Sequence, residues 1–374
     1  MEQNTFIVDQ KHLTHMLTFM QAICAKRTTL DATTAVLFQA GRNELILKST
    51  DLELSLQYSC PLVTSGLEQQ QQFLVPGRRL FELTKDLDGE IDFNVQTNNI
   101  TLSSGNAQVA LNIKDPAEFP PFPERIENLL ELQTVDLLNM IERVAFIIPQ
   151  NNANPALNGV LFELDQHAMV MTATDGHCLA QASTTSYTSD QPRKWLLPRR
   201  AIFELKKILD SGVDKKVFLG LCGNQVVFSG ESFNLFTKLL VDAFPEYQQI
   251  LRKEGFVKRS IAKQTLLKTL RRAACLLSGQ FIATEFNFND NTLEIQMTNK
   301  EVGRLTETLA LQEFVEGALT IHFYAPYVLE GVQMLPGDSI SFWLSTKIRP
   351  IIFEATENNC TITYLVMPVS PVTL

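Results

Sequence analysis

A chain of 374 residues is longer than one hydrophobic core usually organises, so two or three domains are expected. Its 45% hydrophobic and 20% charged residues are typical of a globular protein and exclude a disordered or fibrous chain. The formal net charge of −9 argues against a simple nucleic-acid binder, unless the positive charges are concentrated on one face.

The six cysteines lie far apart and form no C-x-x-C pair, so neither a zinc site nor a disulfide framework is predicted. The N-terminus has no basic stretch followed by an apolar segment, and no run approaches the roughly 18 apolar residues of a membrane span. We therefore expect a cytoplasmic protein with free thiols, no metal and no other cofactor.

The first predicted elements are a helix and a strand. Residues 11–27 predict a helix, because apolar side chains recur there at helical spacing. A strand is predicted next, where apolar residues alternate with polar ones. The helical positions are Leu13, Met16, Leu17 and Met20, and the strand positions are Leu52, Leu54 and Leu56.

A second helix is predicted after Pro76, because proline suits the first turn of a helix that follows a strand. Strand alternation then resumes at Ile91, Phe93 and Val95. Helices followed by strands are predicted again near residues 134–148, after Pro198 and near residues 261–277. Two helices against many strands in each part of the chain indicate an α+β fold.

The same order recurs because the chain contains an internal repeat. A Thr followed by Asp or Asn occurs after a short apolar run at Thr50, Thr174 and Thr298, which are 124 residues apart. Prolines recur at nearly the same interval at Pro76, Pro198 and Pro326. Three copies predict three similar domains, at residues 1–126, 127–254 and 255–374.

Basic residues recur on the second helices of the first two copies. The alignment places Arg78 over Arg200 and Lys85 over Lys207, away from the apolar stripe. Solvation of an exposed face is the simpler interpretation for one helix, but the repetition favours a surface that binds phosphates without reading bases. The predicted DNA-binding residues are Arg27, Arg78, Arg79, Lys85, Asn151, Arg199, Arg200 and Lys207.

The run from Thr174 to Cys178 places Asp, His and Cys together, which could form a nucleophile with its base. The equivalent residues are Thr-Asp-Leu-Glu at 50–53 and Thr-Asn-Lys-Glu at 298–301, which keep the backbone feature but lack the His and Cys, so we expect no enzyme. The chain also lacks the phosphate-binding and zinc-protease motifs. A distant rival is a metal-dependent nuclease whose carboxylates would be Asp51, Glu53 and Asp175.

Four stretches, 157–159, 174–177, 244–247 and 364–368, closely resemble the bacterial DNA sliding clamps, the beta subunits of DNA polymerase III. The resemblance covers the full chain in order. It implies three clamp domains, each with two helices facing a central hole and antiparallel sheets outside, assembled as a head-to-tail dimeric ring. The implied function is that of a replication processivity factor, which encircles duplex DNA without sequence specificity.

The resemblance also implies a pocket for short peptides of the DNA polymerase III alpha subunit, the clamp loader, other polymerases and repair proteins. Its residues would be Leu157, Thr174, Gly176, His177, Leu179, Pro245, Ile250, Ile348, Pro350, Leu365, Val366, Met367 and Pro368. Members commonly have Arg where Cys178 and Gln249 stand, so polar contacts to the peptide are expected to differ.

The ring is expected to close where the edge strand 107–113 of one chain meets the strand 301–309 of another. The predicted interface residues are Ala107, Val109, Leu111, Cys275, Leu276 and Arg304. The main alternative is a peptide-binding scaffold ring that does not enclose DNA.

Overall fold

The computed structural model describes residues 4–25, 29–124, 126–279, 281–313, 317–346 and 348–370. Within these ranges one order of elements occurs three times: a strand, a helix, four strands, a second helix and three strands. The first copy adds a two-residue strand, β5. The repeat predicted from the sequence is therefore confirmed at the level of the fold.

The first copy contains β1 (Thr5–Asp9), α1 (Gln10–Ile23), β2 (Ala35–Ala40), β3 (Glu44–Thr50), β4 (Leu54–Pro61), β5 (Thr64–Ser65), β6 (Gln71–Pro76), α2 (Gly77–Lys85), β7 (Glu90–Val95), β8 (Asn99–Ser104) and β9 (Ala107–Asn112). The second contains β10 (Glu127–Gln133), α3 (Thr134–Ala145), β11 (Gly159–Leu164), β12 (Met169–Thr174), β13 (Cys178–Thr184), β14 (Arg193–Pro198), α4 (Arg199–Asp210), β15 (Lys216–Cys222), β16 (Gln225–Ser229) and β17 (Phe233–Lys238).

The third copy contains β18 (Val257–Ala262), α5 (Lys263–Cys275), β19 (Thr284–Asn289), β20 (Thr292–Asn299), β21 (Gly303–Ala310), β22 (Ala318–Phe323), α6 (Ala325–Met334), β23 (Ser339–Leu344), β24 (Ile351–Glu357) and β25 (Cys360–Val366). Short 3-10 turns cover Asp31–Thr34, Pro116–Glu118 and Pro155–Leu157. No helix within the described ranges is long and apolar enough to cross a membrane.

Helix α1 begins where the Asp9 carboxylate accepts the backbone N–H of His12 at 3.0 Å, which satisfies one free donor of the first turn. Its buried stripe includes the four predicted apolar positions. The helix ends at Ile23, earlier than the predicted residue 27, because Cys24 adopts an extended conformation.

The repeated Thr-Asp sequence forms a turn between two strands, and Leu52 lies in this turn. The expectation that Leu52 belongs to the alternating strand was wrong: it is 47% exposed and has a φ of 78°. The Thr50 hydroxyl accepts the N–H of Leu52, and the Asp51 carboxylate accepts those of Glu53 and Leu54. These bonds hold the backbone in the turn, so the strand begins only at Leu54.

The second copy forms the same turn. The Thr174 hydroxyl accepts the N–H of Gly176 at 3.1 Å and donates to the carbonyl of Cys178 at 2.5 Å. Asp175 accepts the N–H groups of His177 and Cys178 at 2.8 and 2.7 Å. Gly176, with a φ of 95°, occupies the place of Leu52 and tolerates the left-handed backbone better. The shared dipeptide is thus explained by turn geometry.

The chain divides into two compact units, and each unit is built on one eight-stranded antiparallel sheet. Unit 1 comprises Met1–Leu138 with Arg200–Leu239, and unit 2 comprises Asn139–Arg199 with Leu240–Leu374. The sheet of unit 1 has the order β10-β15-β16-β17-β4-β3-β2-β6, and that of unit 2 has the order β14-β11-β12-β13-β25-β24-β23-β18. Each sheet therefore joins strands of two sequence copies, and the compact units cut across the repeat.

Each unit also has a smaller sheet that ends in an open edge. In unit 1 the order is β5-β1-β7-β8-β9, and in unit 2 it is β21-β20-β19-β22. Helices α1 and α2 pack together in unit 1, as α5 and α6 do in unit 2. Helix α6 lies close to its sheet because Gly331 leaves room for the ring of Tyr364, which a Cβ atom would approach to 1.8 Å.

Replacing Thr174 with Val keeps the shape of the side chain and removes both hydrogen bonds of its buried hydroxyl. We expect the free energy of unfolding, measured by urea titration, to fall by about 1–2 kcal/mol. Thr298→Val is the matched control, because Thr298 is exposed in the third copy, and its change should stay within about 0.5 kcal/mol. If both variants lost the same free energy of unfolding, the hydrogen bonds of the Thr174 hydroxyl would not stabilise the fold as expected.

Candidate functional site

A cleft of about 240 Å³ opens in unit 2 beside the turn between β12 and β13. That turn, the segment around Pro245, and the end of β25 form its walls. The lining residues are Leu157, Thr174, Gly176, His177, Cys178, Leu179, Pro245, Glu246, Tyr247, Ile250, Leu365 and Met367. Nine of the thirteen residues expected in the peptide pocket are among them.

The floor of the cleft is apolar because β13 and β25 pair directly. Leu179 lies opposite Leu365 in this pairing, and both belong to a buried cluster with Tyr247. Met367 and Ile250 pack against the cluster and remain partly exposed. The cleft thus offers a preformed hydrophobic surface, as small-molecule and peptide anchor sites do.

Tyr247 fixes one wall of the cleft. Its hydroxyl donates to Glu163 at 2.6 Å, and burial raises the pKa of this phenol well above its usual range. The stretch 244–247 carries part of the family resemblance, but only Pro245 of it was predicted to line the pocket. Glu246 and Tyr247 were therefore missed, although the signal was present in that same stretch.

Four expected pocket residues do not line this cleft. Val366 is fully buried, because alternate residues of a strand face opposite sides and the cleft lies on the side of Leu365 and Met367. Pro350 is buried outside the lining. Ile348, 82% exposed, and Pro368 line a second depression of about 460 Å³ that also includes Met367.

His177 connects the rim of the cleft to helix α6. Its ring stacks on Tyr327, with centroids 5.7 Å apart and an interplanar angle of 19°. Its carbonyl accepts the N–H of Met367 at 2.9 Å, and the Tyr364 hydroxyl donates to the carbonyl of Tyr327 at 2.8 Å. These contacts hold the turn, β25 and α6 in one arrangement.

The geometry does not support a cysteine nucleophile in this turn. Cys178 is buried, and burial raises the pKa of its thiol well above the usual range, which disfavours the reactive thiolate. Asp175 is hydrogen-bonded to backbone N–H groups, and the ring of His177 is stacked on Tyr327. Within the described ranges no three His, Cys, Asp or Glu residues are placed to hold a metal ion.

The predicted DNA-binding residues of the first copy are exposed on α2. Arg78 and Arg79 lie at its first turn and, with Gln21 and Thr34, line a depression of about 340 Å³. Lys85 lies at its last turn and pairs with Glu82 at 2.8 Å. Arg27 lies outside the described residues.

In the second copy the predicted basic residues form hydrogen bonds or ion pairs within the chain. Arg200 pairs with Asp51 and donates to the carbonyls of Ala22 and Ile23 at 3.1 and 3.0 Å. Arg199 donates to the carbonyl of Ile148. The two other predicted residues are Lys207, paired with Glu204 at 2.8 Å, and Asn151, which is exposed. Arg78 and Arg200 therefore occupy aligned positions in different environments.

The residues expected at a chain–chain interface lie on or near the two open sheet edges. On β9, Ala107 is exposed and Val109 and Leu111 are half-buried, and the strand carries no charged residue. On β21, the Arg304 guanidinium donates to Gln296 at 2.7 Å. Cys275 is exposed at the end of α5, next to the half-buried Leu276.

Three family models match the chain. They describe the N-terminal, central and C-terminal domains of the DNA polymerase III beta subunit and match residues 4–123, 131–246 and 248–370. The chain is 25% identical over 354 residues to the beta sliding clamp of Staphylococcus aureus. This alignment covers 92% of this chain and 93% of that protein.

Solved structures show the same similarity. The DNA polymerase III subunit beta from Pseudomonas aeruginosa is 25% identical with a TM-score of 0.89, over 98% of this chain and 99% of that one. A sliding clamp from Bartonella birtlesii, bound to griselimycin, has the same identity, TM-score and coverage.

Proposed function

The chain belongs to the DNA polymerase III beta subunit family and is a sliding clamp, a processivity factor of DNA replication; we propose that two copies of it close head to tail around duplex DNA. The observation that carries the proposal is the pair of open sheet edges, β9 in the first copy and β21 in the third. Two different edges on one chain suit a heterologous contact, which can close into a ring.

The proposed domains follow the repeat: 1–126, 127–254 and 255–374. The three matched family models and the thrice-repeated order of elements support these limits. Because each large sheet joins strands of two copies, we do not expect the middle domain to be stable alone. We also propose that the protein is non-catalytic and cytoplasmic.

The proposed DNA surface is formed by bases on α2 and α4, and Arg78 and Arg79 are its strongest candidates. Both are exposed at the first turn of α2, where the backbone N–H groups also favour anions. Arg200 contributes less free charge because Asp51 neutralises it. Contacts of this kind bind phosphates weakly and without sequence preference.

The double variant Arg78→Gln/Arg79→Gln should bind duplexes of unrelated sequence more weakly by the same factor, because only phosphate contacts are lost. Each lost contact should reduce the slope of log affinity against log salt by roughly 0.9. The matched control is Lys194→Gln/Lys258→Gln on strands β14 and β18. An unchanged slope, or a loss that depends on DNA sequence, would remove α2 from the DNA surface.

The proposed seam pairs β9 of one chain with β21 of the other. Val109 and Leu111 supply apolar surface on β9, and Leu276 supplies it near β21. Unpaired backbone groups at both edges would be satisfied by such an addition of strands. The seam would therefore depend on backbone hydrogen bonds and apolar contacts.

Leu276→Asp should convert the dimer into a folded monomer, because it buries an unpaired charge at the seam. Size-exclusion chromatography with light scattering should show twice the chain mass of 42.1 kDa for the unmodified protein and a single chain mass for the variant. Val213→Asp, at an exposed apolar residue of unit 1, is the control and should stay dimeric. A dimeric Leu276→Asp variant would place the seam elsewhere.

The cleft beside the β12–β13 turn is the proposed site for peptides of the DNA polymerase III alpha subunit, the clamp loader, other polymerases and repair proteins. Family peptides end in bulky apolar side chains, which suit the floor formed by Leu179 and Leu365. Griselimycin bound to similar clamps supports a ligand site in this fold. Met367 is the partly exposed residue placed to cover an inserted side chain.

Met367→Ala should weaken the binding of a polymerase-derived peptide by about 1–2 kcal/mol, because anchor contacts carry most of such binding energy. Fluorescence titration measures this loss. The dimer mass should not change. Val257→Ala, on the edge strand β18, is the control and should bind normally. Unchanged peptide affinity in Met367→Ala would exclude Met367 from the site, and loss of dimer mass would indicate a structural effect.

A further inference from the structure

The cleft carries a negative charge that nothing in its lining offsets. Among its lining residues within the described ranges, Glu246 is the only carboxylate, and none is Lys or Arg. Glu246 is exposed on the wall beside Pro245, and no ion pair engages it in the described structure. A bound peptide would therefore meet an acidic wall next to an apolar floor.

The turn that forms another wall carries a second carboxylate, Asp175, which is next in sequence to the lining residues Thr174 and Gly176. Its counterpart in the first copy, Asp51, is neutralised by Arg200. The prolines at 198 and 326 align Arg200 with Val328, which is buried and apolar, so the third copy supplies no equivalent cation. Within the described residues no Lys or Arg pairs with Asp175.

Helix α6 carries a third acid, Glu330, one turn after Tyr327, whose ring stacks on His177 in the same turn as Asp175. Partial burial, and secondly the charge of Asp175, raise the pKa of Glu330. Tyr327, which stacks on His177 at the rim, has a pKa raised to about 12 by burial and by the same Asp175 charge. Burial is the larger cause in both groups, and the Asp175 charge shifts each pKa in the same direction.

We propose, on the basis of the peptide-binding function above, that this cleft selects partner peptides that carry a Lys or Arg next to their apolar anchor. Glu246 in the lining, and Asp175 and Glu330 near the turn that forms another wall, would attract this cation. An acidic residue at the same position of the peptide would be repelled. The apolar floor supplies affinity, and the carboxylates determine which flanking sequences are preferred.

The size of the preference follows from the exposure of these groups. Ion pairs at the rim of an interface are screened by solvent, so a single favourable pair changes affinity by up to about five-fold at low salt. Charge complementarity acts mainly on association rate and on the rejection of wrong partners. The preference should therefore shrink as salt is added, because the Debye length falls.

The test uses three fluorescent peptides with the same uncharged sequence and bulky apolar C-terminal residues, differing only in a flanking Lys, Gln or Glu. Each is titrated by anisotropy, at low and high salt, against the full-length protein and Glu246→Gln/Glu330→Gln. The control variant is Glu90→Gln/Glu118→Gln, which removes two exposed carboxylates of unit 1 and so has the same net charge.

We expect the Lys peptide to bind the unmodified protein about three- to five-fold more tightly than the Glu peptide at low salt. The preference should nearly vanish in Glu246→Gln/Glu330→Gln and persist in the control variant. Equal affinities of the three peptides for the unmodified protein would overturn the proposal. So would a preference that survives in the cleft variant, or one that falls equally in both variants.

The Gln peptide separates this proposal from the one on which it rests. If it binds the unmodified protein and loses affinity in Met367→Ala, the cleft is a peptide site whatever the charge preference. If the Gln peptide binds and the Lys and Glu peptides bind with the same affinity, the selectivity proposal alone fails. If it does not bind, the peptide-binding function and the selectivity fail together.

Discussion

The pairing of β13 with β25 is the interaction on which the candidate site depends. Seven residues of each strand are in register, from Cys178 opposite Val366 to Thr184 opposite Cys360. Backbone hydrogen bonds across this pair bring Leu179 beside Leu365, although the two lie in different copies of the repeat. In unit 1, β17 and β4 join the first two copies in the same way.

The same Thr-Asp turn occurs in different surroundings in the two units. The Thr-Asp turn has nearly the same hydrogen bonds at Thr50 and Thr174, so its local geometry is set by the two side chains that cap it. In unit 1 its Asp51 pairs with Arg200. In unit 2 no Lys or Arg among the described residues pairs with Asp175, and the turn borders an open cleft. A few different side chains around the same turn therefore give an internal ion pair in unit 1 and a candidate binding site in unit 2.

The order of elements could be predicted from the sequence, because the spacing of Thr50, Thr174 and Thr298 reports a repeat that the backbone follows. Leu52 was placed wrongly, since apolar alternation does not reveal a turn held by its neighbours' side chains. Val366 was assigned from family resemblance, whereas strand periodicity turns it away from the cleft. The pairing of Arg200 with Asp51 could not be predicted, because it depends on tertiary contact between two copies.

Retention on circular versus linear DNA measures most directly whether the protein encloses DNA topologically. The protein, loaded by its cognate clamp loader onto a closed plasmid, is separated from free protein by gel filtration at high salt, before and after the plasmid is cut once. Electrostatic contacts weaken at high salt, whereas a closed ring cannot leave a circle. We expect retention on the intact circle and release after linearisation. Equal retention on both forms, or on neither, would contradict enclosure and favour a scaffold that gathers peptides without encircling DNA.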